Sequence, residues 1–141
     1  MVAPYMIDSA HPLCGVNGVF NGIFLHGNAL GDAMFYGSGA GKLPTASAVV
    51  ADVVDMARHQ HTNIYIDWKP EKLTLVSYDD SVNRFFVRTD SPKEEVEKIF
   101  GNVSYVENVV DGEYGFTREA MAEKDVAAKA DKINVVNRIR L

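Results

Sequence analysis

Three places along the chain carry residue types at spacings that could do chemistry. Gly37-Ser38-Gly39-Ala40-Gly41 runs into a helix-forming stretch. Glycines there let backbone N–H groups approach an anion, and the start of a helix adds its dipole. His59-Gln60-His61 sets two imidazoles side by side, the beginning of a metal site. Asp52 and Asp55 share a helix face, where paired carboxylates could hold a cation.

None of the three completes a known constellation. The phosphate-loop pattern fails because Tyr36 stands where a glycine is needed and Lys42 is followed by Leu43 instead of Ser or Thr. The dinucleotide fingerprint begins at Gly37-Ser38-Gly39, but its third glycine position is Lys42. The loop therefore reads either as a ligand contact or as a tight turn from strand to helix. Without a cysteine or a well-spaced carboxylate the histidine pair reads as a solvated loop, with His59 favoured by a helix C-terminus. His11 and His26 read as structural. Cys14, the one cysteine, has no local histidine or second thiol, so it reads as a buried bystander. The expectation is no catalytic residue and no metal site.

The elements that must position these residues follow from hydrophobic periodicity. Gly18 to Leu25 alternates, with Val19, Asn21, Ile23 and Leu25 on one face and Phe20, Gly22 and Phe24 on the other. Ala33 to Gly37 is a second short strand, and Gly27 to Asp32 has hairpin-loop chemistry. After the glycine loop, Pro44 or Thr45 opens a helix ending near Arg58, whose stripe of Ala46, Val49, Val50, Val53, Val54 and Ala57 is expected to pack in a core.

Residues 63–82 read as a linker, with strand-like runs at Asn63 to Asp67 and Leu73 to Tyr78. Arg84 to Arg88 is a strand, and Ser91-Pro92-Lys93-Glu94 has the spacing of a capping box for a helix that stops at Gly101. Val103 to Val110 and the stretch around Tyr114 and Phe116 flank Asp111-Gly112, a strong hairpin signal. Ala120 to Ile133 is a helix with Asn134 as its cap, and Val135 to Leu141 is the last strand. The fold class is α+β: a strand hairpin plus helix over 1–62, then a βαββαβ ferredoxin-like domain over 83–141.

Composition sets the outer limits. The chain has 141 residues, 47% of them hydrophobic and 23% charged, with 14 Lys+Arg against 19 Asp+Glu for a net charge of -5. A rod, a collagen and a disordered tail are excluded. A mildly acidic chain without a basic block points away from nucleic acid. No run approaches the roughly 20 apolar residues of a membrane span, and no leader pattern opens the chain. A single cysteine suits a reducing compartment, and the cytoplasm is expected.

Charge is unevenly spread. Only Asp8, Asp32, Lys42, Asp52, Asp55 and Arg58 are charged before Thr62, whereas eight of the 11 glycines lie there. So small a piece with so little charge is built to be covered, and a homo-oligomer is expected.

His11-Pro12-Leu13, Val16-Asn17-Gly18-Val19-Phe20-Asn21, Met34 to Gly41 and Pro44 to Asp52 together resemble homoserine dehydrogenase, at the end of its catalytic region. In bacterial members an ACT-type regulatory domain follows, which is what the βαββαβ order resembles. The resemblance implies NAD(P)-dependent interconversion of homoserine and aspartate semialdehyde, a step toward threonine and methionine. It also implies that Gly41, with Gly39 beside it, contacts the nicotinamide cofactor. The family's Rossmann fingerprint, its catalytic lysine and its substrate carboxylates would lie upstream of the residues present. The chain is therefore expected to be a C-terminal fragment, inactive alone and without tight cofactor binding of its own. The alternative is a free-standing ACT-type module that pairs subunits or binds an amino-acid effector. Such domains hold the effector at an Asp-x-Pro-Gly turn, and here Asp90-Ser91-Pro92-Lys93 places Lys93 at the glycine position.

Overall fold

The computed structural model describes residues 1–63 and 65–141, with the backbone alone at 108 and 109. The chain forms two compact units, one over Asp8–Glu71 and the other over Lys72–Leu141 joined by Met1–Ile7.

In the first unit a single 3-10 turn, Pro12–Gly15, opens where His11 Nδ1 accepts a hydrogen bond from the Leu13 N–H. Strands β1 (Phe20–Gly27) and β2 (Gly31–Ser38) pair antiparallel, with Phe20 opposite Ser38 and Gly27 opposite Gly31. The alternation expected for β1 is realised in part: Gly22 and Phe24 are half-buried while Ile23 and Leu25 are exposed, but Phe20, expected on the same face as Gly22 and Phe24, is exposed as well. Leu13, Val16 and Met34 close over Gly22, and the His11 ring meets Phe24 at 5.0 Å.

Helix α1 (Lys42–Arg58) follows, two or three residues earlier than Pro44 or Thr45 predicted. Its apolar stripe is not core-packed, contrary to the sequence expectation. Val49, Val50 and Val53 are each more than half exposed, and every residue from Thr45 to Arg58 faces solvent. The intrahelical hydrogen bonds of α1 are complete although its own unit lays nothing over the stripe.

The expected strand-like run at Asn63 to Asp67 includes Ile64, which lies outside the described residues. Residues 65–77 run without helix or strand, so Leu73 to Tyr78 is not a strand. Ser77 Oγ then accepts from the Asp79 N–H and opens a 3-10 turn, Tyr78–Asp80.

The second unit is built on a four-stranded antiparallel sheet. In chain order its elements are β3 (Val82–Asn83), β4 (Phe85–Thr89), α2 (Lys93–Phe100), β5 (Ser104–Val110), β6 (Glu113–Thr117), β7 (Met121–Ala122), α3 (Glu123–Ala130) and β8 (Val135–Arg140). The sheet order is β5-β6-β4-β8, and β3 and β7 form a separate two-residue ladder. Val87 on the central strand stands opposite Phe116 on one side and Arg138 on the other. Opposite residues share a face, so Phe85, Val87 and Phe116 point together toward the helices. Val96 and Phe100, one helical turn apart on α2, and Val126 on α3 complete the buried core. The Phe100 and Phe116 rings meet edge to face at 5.0 Å.

Local signals misplace two helix ends here. Ser91 does not cap α2: Pro92 precedes the helix with no side-chain cap, and Ser91 Oγ accepts instead from the Asn134 N–H at 2.9 Å. Asn134 correspondingly does not cap α3. That helix ends at Ala130 with Asp131 as its cap, and the Asn134 amide donates to both Asp90 oxygens, at 2.9 and 3.0 Å. The predicted helix start at Ala120 moves to Glu123 because Met121–Ala122 pair with Val82–Asn83. Met1–Ile7, grouped by composition with the residues up to 62, join this unit: Tyr5 bridges to Arg140, and the Met6 N–H donates to the Arg140 carbonyl at 2.7 Å.

Candidate functional site

The glycine loop sits where β2 gives way to α1. Ser38 ends the strand, and its hydroxyl donates to the Ala40 carbonyl at 3.1 Å, which tightens the turn. Gly41 precedes the helix at φ 118°, a conformation that a side chain would strain, and its carbonyl accepts the first helical bond from the Thr45 N–H at 3.1 Å. No side chain caps this start and no acidic residue stands in the first turn. The space that a Cβ would take at Gly37 is open, and at Gly39 it is filled by the Asn21 side chain.

Exposed backbone, a helix start without a carboxylate, and Lys42 beside it suit the approach of an anionic or carboxamide-bearing ligand. The residues present therefore fit a secondary contact with a nicotinamide dinucleotide. The one side-chain hydroxyl in the loop, that of Ser38, is engaged by the Ala40 carbonyl.

The other sequence candidates stay apart from this loop. His59 Nδ1 lies 3.0 Å from the Asp55 carbonyl and 3.3 Å from its carboxylate, so its partner is the end of its own helix. Asp52 and Asp55 line a shallow open hollow with Met56, His59 and Thr62. His26 pairs with Asp32 across the hairpin end at 2.5 Å, both largely exposed. Among the described residues no group of three or more His, Cys, Asp or Glu is placed to hold a metal ion. Cys14 is exposed on its 3-10 turn, not buried as expected, because the turn lies outside any packed layer.

Two polar clusters escaped the sequence reading. At the start of α2 the Lys93 ammonium pairs with Glu107 at 2.6 Å and lies over the Tyr105 and Tyr114 rings, 4.8 and 5.5 Å from their centroids. The hydrogen bond to Glu107 raises the Lys93 pKa. Tyr105 donates to Glu97 at 3.0 Å, and burial together with that carboxylate pushes its pKa up to about 12. In the second cluster Glu123, 2% exposed, accepts from Arg140 at 2.5 Å, from Asn83 at 3.2 Å and from Tyr78 at 3.3 Å. Arg140 lies over the Tyr5, Tyr78 and Phe85 rings, and its pKa is raised by the bond to Glu123. The ion-paired partners stand 14 and 17 residues apart on different elements, where no helix or strand period relates them.

The family model for homoserine dehydrogenase matches residues 1–54, which hold the hairpin, the glycine loop and most of α1. Residues 1–54 match the homoserine dehydrogenase family. Over 94 residues, 64% of this chain, there is 34% identity to a homoserine dehydrogenase of Lactococcus lactis, covering 22% of that protein. A homoserine dehydrogenase of Synechocystis is 56% identical over 55 residues, 39% of this chain and 13% of the relative. A solved homoserine dehydrogenase from Thiobacillus denitrificans aligns with 99% of this chain and 38% of its own, at a TM-score of 0.77 and 26% identity. The chain spans less than a quarter of the length of these two curated homoserine dehydrogenases. The mixed helix and strand architecture with antiparallel sheets is thus similar to that of the aligned part of a homoserine dehydrogenase structure.

Proposed function

We propose that this chain is the C-terminal part of an NAD(P)-dependent homoserine dehydrogenase that interconverts homoserine and aspartate semialdehyde on the route to threonine and methionine. The observation that carries this reading is the glycine loop, held between β2 and α1 inside the matched residues 1–54. The Gly41 and Gly39 backbones contact the cofactor, which supplies or takes up the hydride, and the loop contributes orientation. The chain alone is inactive and binds the cofactor weakly. It works in the cytoplasm as a homo-oligomer, a state supported by the exposed stripe of α1.

The second unit acts as an ACT-type domain. Its strand order and the packing of α2 and α3 on one face of the sheet support that assignment. At the start of α2 the Lys93 side chain is held by Glu107 and two tyrosines, which favours subunit pairing over an amino-acid effector there.

The test starts from the native polypeptide. An immunoblot of the source cells should give a band well above 15.5 kDa, and that protein should reduce aspartate semialdehyde with NADPH or NADH. Gly41→Val in it should raise the cofactor KM about tenfold and change kcat less. A band at 15.5 kDa without activity would overturn the reading in favour of a free-standing pairing or effector module. A thermal-shift screen with threonine, methionine and lysine would then separate those two.

A further inference from the structure

Gly39 and Asn21 compete for one space. A Cβ built on Gly39 would stand 1.7 Å from Asn21 Nδ2 and 2.9 Å from its Cγ. Asn21 lies on β1 opposite Gly37, whose own Cβ position is open, so the Asn21 carboxamide reaches the loop unobstructed.

The two glycines that bracket Ala40 are there for different reasons. Gly41 needs its φ of 118°, but Gly39 is not among the residues at positive φ. Its backbone would accept alanine, and what a side chain there would meet is the Asn21 amide. That amide is the far end of a solvent-exposed side chain on a strand, free to take rotamers that point away. With glycine at position 39, the carboxamide occupies that space without displacement.

We infer that Asn21 is a positioning residue for the glycine loop: its carboxamide fills the volume left by the missing Gly39 side chain and fixes the backbone from Ser38 to Lys42 in one shape. The ligand class served is the nicotinamide dinucleotide, so the inference rests on the cofactor reading proposed for this loop. Removing the carboxamide leaves Gly39 free to move, and a side chain at position 39 displaces the carboxamide. Either change spoils the same presentation.

The test uses the whole 141-residue chain, labelled with nitrogen-15 and titrated with NADP+. In the unaltered chain the amides of Gly39, Ala40 and Gly41 should shift with a Kd on the order of 1 mM, the affinity of a partial site. Asn21→Ala and Gly39→Ala should each weaken this about fivefold without lowering the melting temperature. Combined, they should bind no worse than either alone, because the added methyl enters the vacated space.

If the single variants bind as the unaltered chain does while its loop amides respond, Asn21 has no positioning role and the cofactor reading survives. If no loop amide of the unaltered chain responds, the cofactor reading falls and this inference falls with it. A lowered melting temperature with shift changes spread along β1 and β2 would assign Asn21 to hairpin stability and overturn the inference.

Discussion

Tyr105 shows how much a single residue's chemistry depends on neighbours that lie distant in sequence. Its hydroxyl donates to Glu97 with the Lys93 carbonyl 3.4 Å away, and its ring lies under the Lys93 ammonium. Burial and the nearby carboxylate favour the neutral phenol, so the folded-state pKa rises from 10.0 to about 12. A pKa raised on folding contributes stability that is fully present below the unfolded value and lost as pH rises through the folded one. Unfolding free energy should therefore decline between pH 10.0 and about 12. Tyr105→Phe should remove its share of that decline, as read from urea titrations on either side of the window. An unchanged alkaline slope in the variant would place the cause in other groups.

At the scale of elements, the second unit is closed by the Glu123–Arg140 pair. Glu123 opens α3 and Arg140 ends β8, while Tyr5, Tyr78 and Asn83 bring the N-terminal residues, the 3-10 turn and β3 to the same point. Glu123 is 2% exposed and the Arg140 side chain 11%, so removing the carboxylate strands a guanidinium among three rings. Glu123→Gln should cost about 3 kcal/mol of stability, measured by urea unfolding. Adding Arg140→Met should recover part of the loss, since the stranded charge goes with it. A loss below about 0.5 kcal/mol would mean the pair behaves as a surface contact.

For the whole molecule, the exposed face of α1 is an apolar surface left uncovered within its own unit. Val49, Val50, Val53 and Val54 form a continuous apolar strip on a helix in the charge-poor part of the chain. Apolar strips of this kind are covered by association. Sedimentation should find the chain heavier than 15.5 kDa, and Val50→Asp with Val53→Asp should shift it toward the monomer without loss of helix by circular dichroism. A monomer at all concentrations would show that the strip pairs with nothing in the isolated chain.

Sequence alone determined the features that rest on local physics. The β1–β2 hairpin, the glycine loop running into α1, the stop of α2 at Gly101 and the turn at Asp111-Gly112 all follow from backbone freedom and from alternation within a few residues. The resemblance over the first part of the chain was legible because its motifs are nearly continuous. What the tertiary structure decided depends on partners far apart in sequence. Ser91 and Asn134 each had the spacing of a helix cap, but they bond to each other across 43 residues, because folding brings the ends of β4 and β8 together. The sequence signalled the burial of Glu123, the reach of Asn21 into the space at Gly39 and the return of Tyr5 to β8 no better, since each is a contact between elements. Periodicity shows that α1 has an apolar face. Only packing decides whether that face is covered.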